Sequence, residues 1–411
     1  MPQLECYLRS SCESWCVCSR NYLLDRSARS ELKNMVKNKK QIFAALLLLA
    51  VIVLYVKFEA LQNEIVIQIT DVRTISSRTV VFSESSVQVA NSSTTYRLWT
   101  KSPDHQDGIY HLPDVQRNEH EIQPAKNIFF IVSTITRMGI ANLTARQSCA
   151  IESAARSNPD WSVFVLFTPA TLFSFYNSSH IIPLLVYPNV HLRRINVTTY
   201  AVGTPLENFF EKNSLKNSSY IVEHTSDILR LLTLYKYGGT YLDTDVVVMK
   251  SLNELPLNYL GSEGDGYIAN GIINFQAKGY GHAVAESCLI DISANYNGSV
   301  WAANGPFLVT RIMRKFCNVT NVWDMTREKC GGQMTILPPD TFFQITYPHH
   351  TWYFEEEHAK EALEKVSGHV LTHLWNKLTH GIQLRTTSKV AYIVLAKSYC
   401  PNVIRNCKEY F

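Results

Sequence analysis

No Cys-x-x-Cys pair occurs in this sequence, which removes the common zinc ribbons and knuckles from consideration. There is also no charge excess outside the first forty residues. Of 39 Lys/Arg and 35 Asp/Glu, eight and four fall in residues 1–40, leaving 31 of each sign for the remainder. A body without net charge has no electrostatic footprint for nucleic acid, and no nucleic-acid partner is expected. Only one long hydrophobic run exists, Ile42–Val56, fifteen residues without a polar side chain.

That run spans roughly 22 Å as a helix, short against the ~27–30 Å of a hydrocarbon layer. Gln41, Lys57 and Phe58 extend it if the lysine snorkels. A cleaved signal peptide is the competing reading. A forty-residue segment before the run is too long for one, and no small-x-small site follows. Lys33, Lys37, Lys39 and Lys40 set the orientation by the positive-inside rule. The expectation is a single-pass type II membrane protein with a lumenal body, and the short span suits a Golgi membrane. Residues 1–40 read as a cytosolic tail, 41–58 as a signal-anchor, 59–125 as a polar lumenal stem without a sustained period, and 126–411 as a compact domain. Seven N-x-S/T sites, at Asn91, Asn142, Asn177, Asn196, Asn217, Asn297 and Asn318, all follow the run, as lumenal glycosylation requires. So do six of the ten cysteines, an even set in which Cys317–Cys330 is the local disulfide expected first.

The body opens with apolar runs of strand length. Asn127–Thr134, Trp161–Thr168 and Val190–Ile195 are separated by helical stretches near Arg146–Ser157 and Leu206–Glu211. Strands that are apolar throughout, alternating with helices, indicate an α/β class with a mostly parallel sheet covered on both faces. Ser226 or Asp227 is placed to cap a helix ending at Gly238, in the left-handed conformation, before GGTYLDTDVVV, Gly238–Val248. Asp243 and Asp245 then fall at a strand's carboxyl end, the edge where open α/β sheets bind ligands. Two carboxylates at i and i+2 share one side of an extended segment. A hard divalent cation, Mn2+ or Mg2+, would resolve their charge and favour a bound diphosphate. A bare D-x-D is more often a surface turn; framed by GG-x-YL and an upstream SD-x-x-R, it reads as a site.

These segments, with CAIESAARSNP (Cys149–Pro159), NGIINF (Asn270–Phe275), NGPFLVTR (Asn304–Arg311), ILPPDTFF (Ile336–Phe343), HLWN (His373–Asn376) and SYCP (Ser398–Pro401), resemble the α1,4-glycosyltransferase family. That family includes glycolipid galactosyltransferases and an N-acetylglucosaminyltransferase. The resemblance covers roughly residues 127–405. It implies a single catalytic domain of the GT-A fold, with a nucleotide-sugar part over 126–255 and an acceptor part over 256–411. It also implies a retaining, metal-dependent enzyme that moves galactose or N-acetylgalactosamine from a UDP-sugar to a glycosphingolipid such as lactosylceramide. By the same resemblance Asp245 is the main metal ligand, Asp243 contacts the ribose or the metal, and His373 completes the metal site. Asp227 and Arg230 hold the donor's hydroxyls or diphosphate; otherwise they are an ordinary i,i+3 surface pair. Gly239, Tyr241, Gly271, Trp375 and Asn376 line the donor site, and Asn270 and Asn304 lie near the anomeric centre unless they are turn residues.

The chain departs from the family at Ala302-Ala303-Asn304-Gly305-Pro306, where glycolipid-modifying members carry a GHQGP-like stretch. The sugar is left open there, N-acetylglucosamine on a glycoprotein included. No residue stands out as a nucleophile, so covalent and same-face retaining routes both remain. A silent sugar-binding or partner-stabilising subunit is the competing function, disfavoured by the intact DxD. A hydrolase ranks last, because Asp243 and Asp245 are too close to flank a glycosidic bond. An oligomer, homo- or hetero-, with other Golgi transferases is left open.

Overall fold

The computed structural model describes residues 109–411, apart from 135–136, 169, 175 and 265, and the backbone of four strands between 64 and 100. Residues 1–40, read as a cytosolic tail, the apolar run Ile42–Val56 and Asn91 lie outside the described residues. Among the described residues no helix is long and apolar enough to cross a membrane.

Four strands occupy the segment read as stem: β1 (Glu64–Asp71), β2 (Ser76–Ser83), β3 (Ser86–Ala90) and β4 (Thr95–Thr100), in the order β1-β2-β3-β4. The β2–β3 and β3–β4 pairs are antiparallel. Apolar runs within this polar segment thus form strands. Runs such as Thr-Val-Val-Phe and Tyr-Arg-Leu-Trp are short, yet β-branched and aromatic residues between Ser-rich turns are enough for strands. The folded body also begins earlier than 126. Strand β5 (Ile109–His111) pairs with β8 (Leu172–Ser174), and Tyr110, Leu112 and Val115 are buried.

The central sheet has seven strands in the order β14-β12-β13-β10-β6-β7-β9. They are β6 (Asn127–Val132), β7 (Ser162–Phe167), β9 (Val190–Arg194), β10 (Gly239–Leu242), β12 (Tyr259–Ser262), β13 (Ile268–Phe275) and β14 (Thr335–Leu337). Strands β10, β6, β7 and β9 run parallel, as do β12 and β14; β13 is antiparallel to both of its neighbours. The sheet is thus mostly parallel, as expected, with one reversed strand near its middle.

The uniform apolarity of these strands has a direct cause. Ile128, Phe130 and Val132 enter one core while Phe129 and Ile131 enter the other. Strand β7 divides in the same way, Val163, Val165 and Phe167 against Phe164 and Leu166. With a period of two, both faces must be apolar when both are covered. Each such side chain, fully buried, contributes about 1.5–3 kcal/mol. The first core is closed by α1 (Ala145–Ser157) and the C-terminal helices. The second is closed by α2 (Ile221–Tyr237), α3 (Tyr280–Asn295) and α4 (Pro306–Cys317).

Helix α2 starts earlier than expected, with Tyr220 at its N-cap, so Ser226 and Asp227 lie inside it. Gly238 ends it with φ 64° but ψ −172°, a positive φ without the left-handed helical ψ. A Cβ there would stand 2.4 Å from the Ala277 amide nitrogen, which reserves the position for glycine.

The expected Cys317–Cys330 disulfide is present, and a second joins Cys149 to Cys400 across 251 residues. Cys288 and Cys407 are buried free thiols in different cores. Next to the long disulfide the buried Glu152 carboxylate accepts from the Asn402 and Val403 amides and from the Tyr187 hydroxyl. Together they pin the last helix, Pro401–Asn406, to α1. Removing a disulfide costs about 2–5 kcal/mol, more for a longer loop in the chain-entropy account. The double substitution Cys149→Ser/Cys400→Ser is therefore expected to lower the denaturant midpoint more than Cys317→Ser/Cys330→Ser, whose loop spans 13 residues.

Candidate active site

Strand β10 ends at Leu242, and the chain then runs through Asp243, Thr244 and Asp245 into β11 (Val246–Val248). Two ladders fix what these residues face. On one side β10 pairs with β13, and the Asp243 amide donates to the Gly271 carbonyl at 2.8 Å. On the other side β11 pairs antiparallel with β15 (Leu371–His373), Val246 opposite His373, and the Leu374 amide donates to the Asp245 carbonyl. The aspartates are thus stretched between a reversed strand and a strand from the C-terminal region. Ligand atoms of Asp243, Asp245 and His373 all lie within 4.8 Å of one another.

Each carboxylate is held differently. Asp245 Oδ2 accepts from the Asn376 amide at 2.8 Å, and its Oδ1 lies 3.2 Å from His373 Nε2. Burial would raise its pKa, but the His373 charge and these bonds outweigh it and hold the carboxyl below its ordinary value. Burial likewise opposes the charge on His373, and Asp245 more than offsets this, leaving the imidazole raised. Glu263, just past β12, pushes it the same way. The Trp375 amide donates to His373 Nδ1 at 3.3 Å, leaving Nε2 to face the aspartates.

Asp243 Oδ1 accepts from the Tyr241 hydroxyl at 2.5 Å and lies 3.2 Å from Arg230 Nη1. Burial raises its pKa, Arg230 opposes this, and the Asp245 charge adds to the rise. Arg230 is buried over the Tyr241 ring, 4.4 Å from its centroid, and donates to the Asn270 carbonyl and Ser226. It also lies 3.2 Å from Asp227, whose Oδ1 accepts from Asn270 Nδ2. Asp227 and Arg230 are therefore a buried pair joined to Asp243. One buried and two half-buried carboxylates share one guanidinium and one imidazole, a set short of positive charge. Two carboxylates and an imidazole are suitable donors for Mn2+ and usable by Mg2+, so these residues fit a divalent cation.

Other expected residues fall in varied places. Gly271 leaves no room for a side chain, since a Cβ there would stand 2.5 Å from Asp243 Oδ2. Tyr241 and Trp375 are buried beneath the site: Tyr241 orients Asp243, and the Trp375 ring packs 4.9 Å from His373. Asn376 contributes its backbone. Gly239 is corrected: it opens β10 at the opposite end from Asp243, with its missing Cβ against the Asn127 carbonyl. Asn304 spends its amide on the backbone of Asn297, which is the turn role. Its neighbour Gly305 is the residue that reaches the site, its absent Cβ 2.3 Å from Asn270 Nδ2 and 2.9 Å from Asp227 Oδ2. The six acceptor asparagines other than Asn91 are all exposed.

Sequence reasoning missed two supports. The Lys377–Glu223 ion pair joins α5 (Asn376–Thr379) to the first turn of α2. Arg146 is buried in α1 without a carboxylate among its hydrogen-bond partners, and burial lowers its pKa. It donates to Asn376 Oδ1 and to the Thr379 and Ile382 carbonyls, and stacks over Phe354 and Tyr392. That grip fixes the loop whose Asn376 amide holds Asp245. Nothing local in the sequence signals it, because its partners lie 230 or more residues away.

Gly271→Ala displaces Asp243, and Arg146→Lys keeps a charge but loses the planar fork. Supports of metal ligands typically carry 10–100-fold in affinity. Each variant is expected to weaken Mn2+ binding by about that factor in calorimetric titration, with near-ultraviolet circular dichroism unchanged.

Two family models match the chain: "Glycosyltransferase sugar-binding region containing DXD motif" over residues 144–261, and "Alpha 1,4-glycosyltransferase conserved region" over 277–407. The chain is 34% identical over 265 residues to lactosylceramide 4-alpha-galactosyltransferase of Mus musculus, covering 64% of this chain and 72% of that one. It is 27% identical over 264 residues to alpha-1,4-N-acetylglucosaminyltransferase of Homo sapiens, covering 63% and 75%. Among solved structures, the PaToxG glycosyltransferase overlaps 52% of this chain and 73% of its own at 19% identity and a TM-score of 0.35, a likeness on which nothing here rests. The chain belongs to the α1,4-glycosyltransferase family and is a glycosyltransferase.

Proposed function

We propose that this enzyme transfers galactose, or N-acetylgalactosamine, from a UDP-sugar to a glycosphingolipid acceptor such as lactosylceramide, with retention and with a divalent cation, in the Golgi lumen. The observation that carries the metal-dependent part is the charge shortfall around Asp243 and Asp245, with His373 beside them. Asp243, Asp245 and His373 would hold the cation. When bound, the cation neutralises charge on the departing diphosphate. Arg230 and Asn270 hold Asp227 at a polar shelf beside Gly305 that suits a sugar's hydroxyls. The glycolipid acceptor is supported by the 34%-identical relative, which is named for lactosylceramide. Exposed sequon asparagines support a lumenal body.

The test is a donor screen. Full-length protein, lactosylceramide and Mn2+ are incubated with UDP-galactose, UDP-N-acetylgalactosamine and UDP-N-acetylglucosamine, and the product is read by mass spectrometry. One of the first two donors is expected to give a trisaccharide lipid, and chelation to abolish it. Asp245→Asn is expected to lower kcat by about 10²–10³, the usual cost of losing one electrostatic stabiliser. Product from the third donor alone, or from none in folded protein, overturns the reading.

A further inference from the structure

Six large apolar side chains, Ile221, Tyr267, Trp301, Phe307, Tyr347 and Leu378, are between 39% and 52% exposed; five lie on or next to segments that carry the site, and Tyr347 packs against Trp375. Single exposed apolar residues are ordinary and need no explanation. These are linked through short contacts around the cleft. The Tyr267 and Phe307 rings lie 4.8 Å apart, flanking the segments of Asn270 and Gly305. The Phe307 amide donates to the Ala302 carbonyl, beside Trp301. The Trp301 carbonyl lies 3.2 Å from His224 Nε2, one turn along α2 from Ile221. Glu223 in that turn is paired with Lys377, next to Leu378. The Leu378 amide donates to the Trp375 carbonyl, and the Tyr347 ring packs 5.8 Å from the Trp375 ring. The chain of contacts runs from the Asn270 side of the site to the His373 side; along it Glu223 and Lys377 neutralise each other, and Glu263, whose amide donates to the Tyr267 carbonyl, adds one acidic group.

We propose that this apolar collar seats on a lipid surface, so that the acceptor is taken from the leaflet that holds it. The inference rests on the glycolipid reading above and goes beyond it to the surface involved. Trp, Tyr and Phe beside aliphatic Ile and Leu are the mixture that settles at a headgroup boundary, about 5–10 Å deep. A site for a soluble glycan has no use for exposed Ile221 and Leu378, which form neither hydrogen bonds nor ring stacks with sugars. The apolar run Ile42–Val56, read as a membrane anchor, keeps such a surface within reach of the body. A short sugar headgroup reaches a recessed site only if the mouth comes down to the leaflet.

Two measurements on the full chain, reconstituted in phosphatidylcholine vesicles, test this. The first needs no activity: brominated phosphatidylcholine quenches tryptophan fluorescence at the boundary. A quenched component present in the wild type and lost in Trp301→Phe is expected, and equal quenching in both overturns the proposal. The second compares vesicle-borne lactosylceramide with free lactose as acceptor for the triple variant Trp301→Ser/Phe307→Ser/Leu378→Ser. Transfer to the lipid is expected to fall at least tenfold, through KM, with transfer to lactose unchanged. Parallel loss with both acceptors assigns the side chains to sugar stacking, and no loss with either makes the collar idle; both overturn the proposal. Quenching without transfer to any acceptor in the wild type overturns the glycolipid reading and leaves the surface standing.

Discussion

The residues around the site answer one electrostatic problem, the close placement of a buried Asp227 beside the half-buried Asp243 and Asp245. An uncompensated buried carboxylate costs several kcal/mol, and breaking a buried pair costs about as much. Arg230 meets part of the demand by lying between Asp227 and Asp243 on the face of Tyr241. His373 and the Asn376 amide meet another part at Asp245. Burial holds both Asp227 and Asp243 raised despite Arg230, and the Asp245 charge adds to the rise at Asp243. A cation has most to gain at that point, so stability and function meet in one charge account.

The sheet is arranged to make that account possible. A parallel strand alone would leave Asp243 at an open edge; the reversed β13 brings the Gly271 carbonyl to its amide and Asn270 to Asp227. The small ladder of β11 and β15 then imports His373 from more than a hundred residues downstream. Beneath the imported loop, Arg146 substitutes hydrogen bonds to carbonyls for a counter-ion. Such a guanidinium is costly to bury, and it secures the geometry of a loop whose Trp375 sits at φ 55°.

Much of this was legible from residue pattern. The two-faced apolar strands, Asp243 and Asp245 at the end of β10, and the Cys317–Cys330 disulfide follow from spacing or from family resemblance. The misread features share a physical cause. Ser226 and Asp227 look like a helix cap because polar residues near a helix start usually serve that end. Here they occupy the middle of α2, where Asp227 binds Asn270 and Ser226 meets Arg230. Local rules fail where a site overrides them. Gly239 was misplaced because a glycine beside a motif gives no sign of which end of its strand faces the ligand. Arg146 and the Lys377–Glu223 pair were invisible because their meaning lies in contacts across more than 150 residues.

The two glycines that remain at the cleft divide the work of recognition. Gly271 gives Asp243 its room, so under the proposed function it belongs to the end that would meet a diphosphate common to every UDP-sugar. Gly305 stands against Asp227 and Asn270, at the end that meets hydroxyls, and Asn304 anchors the preceding turn through Asn297. Selectivity between sugars that differ at one carbon cannot arise where the ligand is the same. Under the proposed function it would arise beside Gly305, and Ala302-Ala303-Asn304 is where this chain departs from the glycolipid-modifying pattern. Under that function, the aspartates would face what is common to the class of donor, and the alanine-rich loop is where its sugar would be chosen.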